Sequence, residues 1–388
     1  MAIVQGGVGR VWARVDGIDL LRGVAIFFVL MNHVNMQLLF GDVPYLVGLP
    51  KQLVYTLVWN GQPGVQMFFA VSGYLITSTS MRRWGSPGAL KVKEFYWLRF
   101  ARIAPLMVLL LSVLSGMDVA GVRHFVVETV TGGLGRALLA ALTFHVNYLE
   151  ATRGYLPGSW DILWSLSVEE MFYLFFPWVA RGLGKKRWLF VLLVLLVAAG
   201  PFARAKAFDP NPVWREYGYI GGMDAIAMGC MTAMLLRERR LSRRWVWVCG
   251  SLGAVLLVFC FGFSIEAYKI GLGKSGLLMT VVGLGACLVI VAAAQSDWRA
   301  PQVLWPLLQM GRRSYEIYLT HMFVVIGLFA VFVAWGKPLG AAWWLFGVVM
   351  VVATALGWVV SEGFSEPVNR WLRGRRDVVE GQKQVPAG

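Results

Sequence analysis

The sequence predicts an all-α, polytopic integral membrane protein of about ten transmembrane helices, on three observations. Of 388 residues, 58% are hydrophobic and 15% charged, where a soluble domain carries roughly a quarter charged residues. Apolar runs of about 20 residues, the length that crosses hydrocarbon, recur along almost the whole chain. The basic residues stand in short clusters between those runs, where they orient helices across a bilayer. The net charge of +15 would suggest nucleic acid in a soluble protein; here it serves topology, and no nucleic-acid partner is expected.

Taken in order, spanning segments fall near 18–40, 62–81, 103–118, 161–180 and 187–203. Five more fall near 219–236, 246–264, 275–294, 314–334 and 342–361. The stretch 136–148, "RALLAALTFHVNY", holds only about a dozen apolar-rich residues and reads as re-entrant or interfacial. The basic residues decide its status. With 136–148 left out and the N-terminus in the cytoplasm, ten helices put both termini inside and leave 26 of the 36 Lys and Arg residues there. The inner clusters include "RR" at 82–83, "KKR" at 185–187 and "RERRLSRR" at 237–244. If 136–148 spans, the inner count falls to 16. The positive-inside rule selects ten helices.

No signal peptide is expected, because the first apolar run continues to spanning length without a small-x-small cleavage site. The domain organisation is a membrane domain over 1–372 and a polar cytoplasmic tail over 373–388, expected to be disordered. Cys230, Cys249, Cys260 and Cys287 lie in apolar stretches without ligand spacing, so they read as packing residues with no disulfide framework and no metal site.

The first span, "LLRGVAIFFVLMNHVNMQLLF" from Leu20 to Phe40, holds Arg22, Asn32, His33 and Asn35. At about 1.5 Å of rise per residue, His33, Ser72 and Glu169 from three different spans lie roughly 10 to 15 Å below the outer boundary. Ionisable groups at such depth normally face a partner or a water-filled cavity. Arg22 sits about 16 Å nearer the cytoplasm than His33. Arg99 and Arg102, in "WLRFAR", share one helix face at the cytoplasmic mouth of the third span and form a two-pronged anion site. Tyr315 and His321, in "SYEIYLTH", lie on the inner half of the ninth. The pattern describes a tunnel, cationic inside and with a His–Glu layer further out. On position alone, Arg99 and Arg102 serve equally as helix-flanking cations, Arg22 as a snorkelling one, and either histidine as a packing residue.

These residues also carry a family resemblance. "LLRGVAIFFVLMNH", "GVQMFFAVSGYLI" (64–76), "FYWLRFARIAPL" (95–106), "WSLSVEEMFYLFFP" (164–177), "SYEIYLTH" (314–321) and "SEPVNRWLR" (365–373) resemble, in order, the motifs of the membrane acyltransferase-3 family. The resemblance covers roughly residues 16 to 373. It implies an enzyme that moves an acyl group, usually acetyl, from cytoplasmic acyl-CoA to a hydroxyl of a cell-surface glycan or lipid-linked saccharide. It implies no permanently bound cofactor, and it places Arg22, His33, Arg99, Arg102 and Glu169 on the family's functional positions. Two departures stand out. Many members have aspartate where this chain has Gln66, so no essential carboxylate is expected there. Some members add an extracytoplasmic hydrolase-like domain, and none is seen up to residue 388, so the membrane domain is expected to handle the acceptor or hand the acyl group to a partner.

The mechanism expected from these readings has His33 as general base and Glu169 orienting it, as a carboxylate does in catalytic triads. Arg99 and Arg102 bind the donor's phosphates, with Arg22, Tyr315 and His321 along the donor path. Asn32, Ser72 and Asp161 are the acceptor-side candidates, Asn32 or Ser72 as oxyanion donor. An acyl-histidine intermediate is compatible with the same residues. A glycolipid transporter or flippase is the rival reading, since it also explains intramembrane charge and a cavity. The sequence specifies neither the oligomeric state nor the hydroxyl modified.

Overall fold

A computed structural model describes residues 14–183 and 186–382, so part of the 185–187 cluster and residues 383–388 lie outside it. Among the described residues there is no strand, and ten helices have 19 residues or more. We number these α1 (Asp16–Phe40), α2 (Gly61–Trp84), α3 (Val92–Val119), α4 (Leu163–Gly182) and α5 (Lys186–Arg204). The rest are α6 (Tyr219–Glu238), α7 (Arg243–Gly262), α8 (Leu277–Gln295), α9 (Ser314–Ala334) and α10 (Ala342–Val360). We call the face where α1 starts basal and the face where it ends distal. Among the described residues, eight helical segments are long and apolar enough to cross a membrane, which makes this a multi-pass membrane protein. The two long helices outside that set, α2 and α4, run beside the others. Both owe their lower hydropathy to the polar residues at issue: Gln66, Ser72 and Thr77 on α2, and Ser165, Ser167, Glu169 and Glu170 on α4.

The stretch 136–148 breaks at Phe144, which adopts φ +57°. It divides between two short helices, Gly133–Leu142 and Val146–Arg153. Ten residues span about 15 Å, half the hydrocarbon thickness. The indole of the fully buried Trp160 donates to the Phe125 carbonyl at 3.2 Å and ties this distal loop region down. The polar segment expected to be disordered from Arg373 instead continues a helix, Glu366–Gln382. A π-helical turn, Ser361–Ser365, joins it to α10.

Close helix approach depends on glycine at a few points. A Cβ on Gly229 of α6 would stand 2.0 Å from the Ala70 carbonyl of α2, and one on Gly73 of α2 would stand 2.0 Å from the Ile226 carbonyl of α6. Small residues at such crossings drive association in lipid, where no hydrophobic force separates helix from solvent. At the basal end, Gly23 and Gly311 play the same part between α1 and the short helix Trp305–Arg312. Arg312 reinforces that contact, reaching Asp16 at 3.2 Å and Asp19 at 3.4 Å.

A buried polar network joins α2, α5, α6 and α8. Asp224, wholly buried, accepts from Gln66 Nε2 at 2.7 Å, from an Arg204 guanidinium nitrogen at 2.7 Å and from Thr280 Oγ1 at 2.8 Å. Arg204 also bonds the carbonyls of Gly276 and Gly221. Gln66 thus serves as an amide donor to a carboxylate. An aspartate there would face Asp224 and set two carboxylates against one arginine.

Gly229→Val should cut the yield of folded protein severely and lower its melting temperature in detergent, because overpacking at a helix crossing costs about 1–3 kcal/mol or more. Gly347→Val, where a Cβ meets nothing within 4 Å, should leave both near wild type. Equal behaviour of the two variants would refute the close-packing account.

Candidate active site

Three arginines from two helices meet at one cavity. It has a volume of about 270 Å³ and lies among α1, α2, α3, α4 and α9; Arg22, Arg99 and Arg102 line it with Ser72, Glu169, Tyr315 and Tyr318. Their local settings differ. Arg99 and Arg102 sit one turn apart on α3, as their spacing requires. Arg99 donates to Glu170 at 2.8 Å and lies over the Tyr173 ring, 3.9 Å from its centroid. Its Nε is buried and has no acceptor among the described residues. Arg102 bonds Glu366 at 2.9 Å and stands 3.4 Å from the buried Glu316. Arg22 has a long contact of 3.8 Å to Asp19, one turn before it on α1. Glu169 is the one carboxylate lining the cavity among the described residues. The enclosed charge is therefore cationic in excess, which suits an anion.

The histidines form a second layer. His33 Nδ1 lies 3.1 Å from His321 Nε2, with ring centroids 4.8 Å apart. His321 is fully buried, and its Nδ1 lies 2.6 Å from the Tyr318 carbonyl; His33 Nδ1 lies 3.0 Å from the Val29 carbonyl. A carbonyl only accepts, so in the neutral state both Nδ1 atoms carry the proton. His321 Nε2 is then the acceptor for the His33 Nδ1–H. This leaves His33 Nε2 as an unprotonated lone pair on a half-buried ring. Tyr318 connects the two layers. It lines the cavity, donates to the Ile162 carbonyl at 3.0 Å, meets Ser165 Oγ at 2.6 Å, and has its ring 5.7 Å from that of His321.

The sequence-derived residues divide on this geometry. Arg22, Arg99, Arg102, Tyr315, Ser72 and Glu169 share the cavity. His33 and His321 pair with each other. Among the described residues Glu169 makes no hydrogen bond to His33, so the expected Glu–His dyad is replaced by a His–His dyad. The reason is positional: α9 brings His321 against α1, while Glu169 lines the cavity that holds the arginines. Ser72 accepts from the Tyr173 hydroxyl at 2.7 Å. Asn32 packs against the backbone of Gly61, where a Cβ would come within 2.7 Å of its side chain, and it does not line the cavity. Asn35 is structural: buried, it accepts from Tyr45 Oη at 2.5 Å and holds the distal loop onto α1.

Asp161 lies outside the cavity, in the distal helix Gly158–Asp161 ahead of α4. It neighbours Glu150, and Tyr217 Oη donates to it at 3.5 Å. Burial first and then the Asp161 charge hold the Glu150 carboxyl well above the usual range. Burial pushes Asp161 up to about 7. Two carboxyls so placed retain a proton between them near neutrality.

Sequence reasoning passed over Tyr318, Ser165, Tyr173, Glu170 and Glu316. Tyr318 was findable, since Tyr315, Tyr318 and His321 recur at intervals of three on α9 and so share a broad face. The carboxylate partners of the arginines were not, because the pairing joins helices distant in sequence.

The family model described as "Acyltransferase domain" (Acyl_transf_3) matches residues 15–362. Among curated proteins, the chain is 26% identical over 339 residues to the "Peptidoglycan O-acetyltransferase" of Listeria monocytogenes, covering 79% of this chain and 49% of that protein. It is 27% identical over 332 residues to a "Putative peptidoglycan O-acetyltransferase" of Bacillus subtilis, covering 80% and 49%. A "Putative O-acetyltransferase" of Staphylococcus aureus (strain COL) is 26% identical over 332 residues, covering 80% and 50%. The chain thus spans about half the length of these relatives. No solved structure matches.

The distal carboxyl pair has a consequence for stability. A carboxyl whose folded pKa is raised stabilises most when protonated, and that contribution is lost as pH rises from the unfolded value near 4 through the folded one. Purified protein should therefore melt several degrees higher at pH 5 than at pH 8, and Glu150→Gln/Asp161→Asn should flatten that difference. An unchanged slope in the double variant would dissociate the pair from the effect.

Proposed function

The chain belongs to the acyltransferase-3 family, and from that premise we propose that it is an integral membrane O-acyltransferase that transfers an acyl group, in the first instance acetyl, from cytoplasmic acyl-CoA to a hydroxyl of a cell-surface glycan or lipid-linked saccharide. The named relatives support the acceptor class. The observation that carries the reading is the two-layer site: a cavity with three arginines whose Tyr318 wall touches a histidine pair.

In this reading the basal face is cytoplasmic and all ten long helices cross, with both termini inside. The basic clusters around 82–102, 237–244, 299–313 and 370–376 then fall on the cytoplasmic side. A cysteine placed at Ser242 should resist an impermeant maleimide in intact cells, while one at Ser275, in the loop before α8, should react. The reverse labelling would refute this orientation.

The donor's phosphates enter at Arg99 and Arg102, both of which line the cavity. Guanidinium binds phosphate through paired hydrogen bonds, and the existing carboxylate partners Glu170 and Glu366 hold both forks in place when the site is empty. The flexible arm then runs past Arg22 toward Tyr318, which stands between the cavity and the histidines. At the far end, His33 Nε2 is the base. The acceptor hydroxyl oxygen forms a C–O bond to the thioester carbonyl carbon as the C–S bond breaks. Its proton passes to His33 Nε2 and from there to the coenzyme A thiolate. His321 is the positioning residue in place of Glu169: it fixes the His33 tautomer and ring angle, as a hydrogen-bonded partner does for any catalytic imidazole.

His33→Ala should lower acetyl transfer by about 10²–10⁴-fold, the range for a general base, with little change in the Michaelis constant for acetyl-CoA. Arg99→Lys/Arg102→Lys keeps the charge facing Glu170 and Glu366 but removes the planar fork. It should raise that constant about tenfold or more while sparing the turnover number. Wild-type turnover in His33→Ala would remove the catalytic assignment, and an unchanged Michaelis constant in the lysine variant would remove the phosphate site.

A further inference from the structure

The distal face holds a second and larger concavity, about 940 Å³, formed by the short helices Lys51–Val58 and Ser264–Lys269 and by the ends of α2, α5, α7 and α8. Its lining is chemically lopsided. Lys206, Arg215, Lys269 and Lys274 face one carboxylate, Glu216. Among the described residues no carboxylate lies within 4.0 Å of those four cations. Arg204 also borders the crevice, but Asp224 already engages it at 2.7 Å. Among the described residues, Arg215 donates only to the backbone carbonyls of Asp209 and Pro210. Four cations in one concave site, with a low-dielectric wall behind them, concentrate a positive field.

The same crevice displays aromatic faces. Tyr55 and Trp59 stack with centroids 6.0 Å apart, and both are over one-third exposed; Tyr268 is more than half exposed. Exposed rings with an apolar face and a polar edge suit a ligand that alternates C–H faces with hydroxyls. The crevice also borders the helix contact next to His33. Asn60, Gln62 and Pro63 line it, and Gly61 between them packs on Asn32, the residue before His33.

Resting on the acyl-transfer reading above, we propose that this crevice is the acceptor subsite and that it selects acidic saccharides. Carboxylate or phosphate groups of the glycan meet Lys206, Arg215, Lys269 and Lys274, while sugar rings lie on Trp59 and Tyr268. The hydroxyl to be acylated then reaches His33 past the α1–α2 contact at Asn32 and Gly61. The four cations set specificity and take no part in the chemical step. Attraction at such a site weakens with salt, whose screening length is about 8 Å at physiological ionic strength.

The test uses the full chain in phosphatidylcholine nanodiscs with hexagalacturonate as the probe and its fully methyl-esterified form as the neutral control. The acid oligomer should bind at least about tenfold more tightly than the ester, a difference of about 1.4 kcal/mol, and should weaken as salt rises. Lys206→Gln/Lys269→Gln/Lys274→Gln should abolish that preference while leaving the Michaelis constant for acetyl-CoA unchanged; all three side chains are exposed, so the variant retains the fold. Equal binding of acid and ester, with acetyl transferred to a neutral glycan, would overturn the acidic-acceptor proposal and leave the acyltransferase reading standing. Charge-selective binding without acetyl-CoA turnover on any glycan would uphold the crevice and overturn acyl transfer. Loss of binding when phosphatidylglycerol replaces part of the phosphatidylcholine would assign the crevice to lipid headgroups and overturn the proposal.

Discussion

A charge held at the depth of hydrocarbon is costly unless another helix supplies its partner, and this constraint organises the bundle. Arg204 on α5 meets Asp224 on α6, Arg99 on α3 meets Glu170 on α4, and Arg102 reaches both α9 and the start of the helix Glu366–Gln382. The first joins consecutive long helices, and the pairings of Arg99 and Arg102 join residues 71 or more positions apart. Together they fix which helices are neighbours in a medium where apolar surface distinguishes little between one helix and another. Removing one partner of such a pair strands the other charge, which typically costs about 3–5 kcal/mol. The π-helical turn at Ser361–Ser365 fits the same account, since it delivers Glu366 to Arg102.

Packing and polarity divide the work between them. Glycine at the α2–α6 and α1 crossings lets backbones touch, and the polar pairs then sit in register across the contacts. The site occupies the region where this register leaves space. Arg22, Arg99 and Arg102 surround a cavity with one lining carboxylate, while the carboxylates that balance them stand behind. Glu170 and Glu366 hold the Arg99 and Arg102 side chains in place without lining the cavity themselves. The histidine pair beyond it is polarised by two backbone carbonyls, so the direction of its hydrogen bond, and the identity of the bare nitrogen, follow from helix geometry alone.

Much of this was legible in advance. The apolar period and the placement of lysine and arginine give the helices and their order. The polar residues inside those helices point to Arg22, His33, Arg99, Arg102, Ser72 and Glu169 as a set, because ionisable groups at such depth normally face a partner or a water-filled cavity. The family motifs lie on the same positions. What misled was the assignment of partners. Glu169 and His33 occupy similar depths, and depth is all a sequence supplies; rotation about each helix axis decides whether two groups at one level face each other. Asp161 stands apart from the cavity for a related reason, since it belongs to a distal helix of its own rather than to the start of α4.

The sequence by itself therefore determined the solvent of the fold, its long helices and their order, and which buried polar residues needed a partner. These follow from one-dimensional quantities: hydrophobic length, charge placement and residue type. Only the tertiary structure decided that His33 meets His321, that Gln66 serves Asp224, and that three arginines share one cavity with Tyr318 at its wall. The physical reason is that hydrogen bonds and ion pairs act over about 3 Å and in fixed directions. Whether they form depends on helix rotation and crossing, which long-range packing sets and no local pattern encodes.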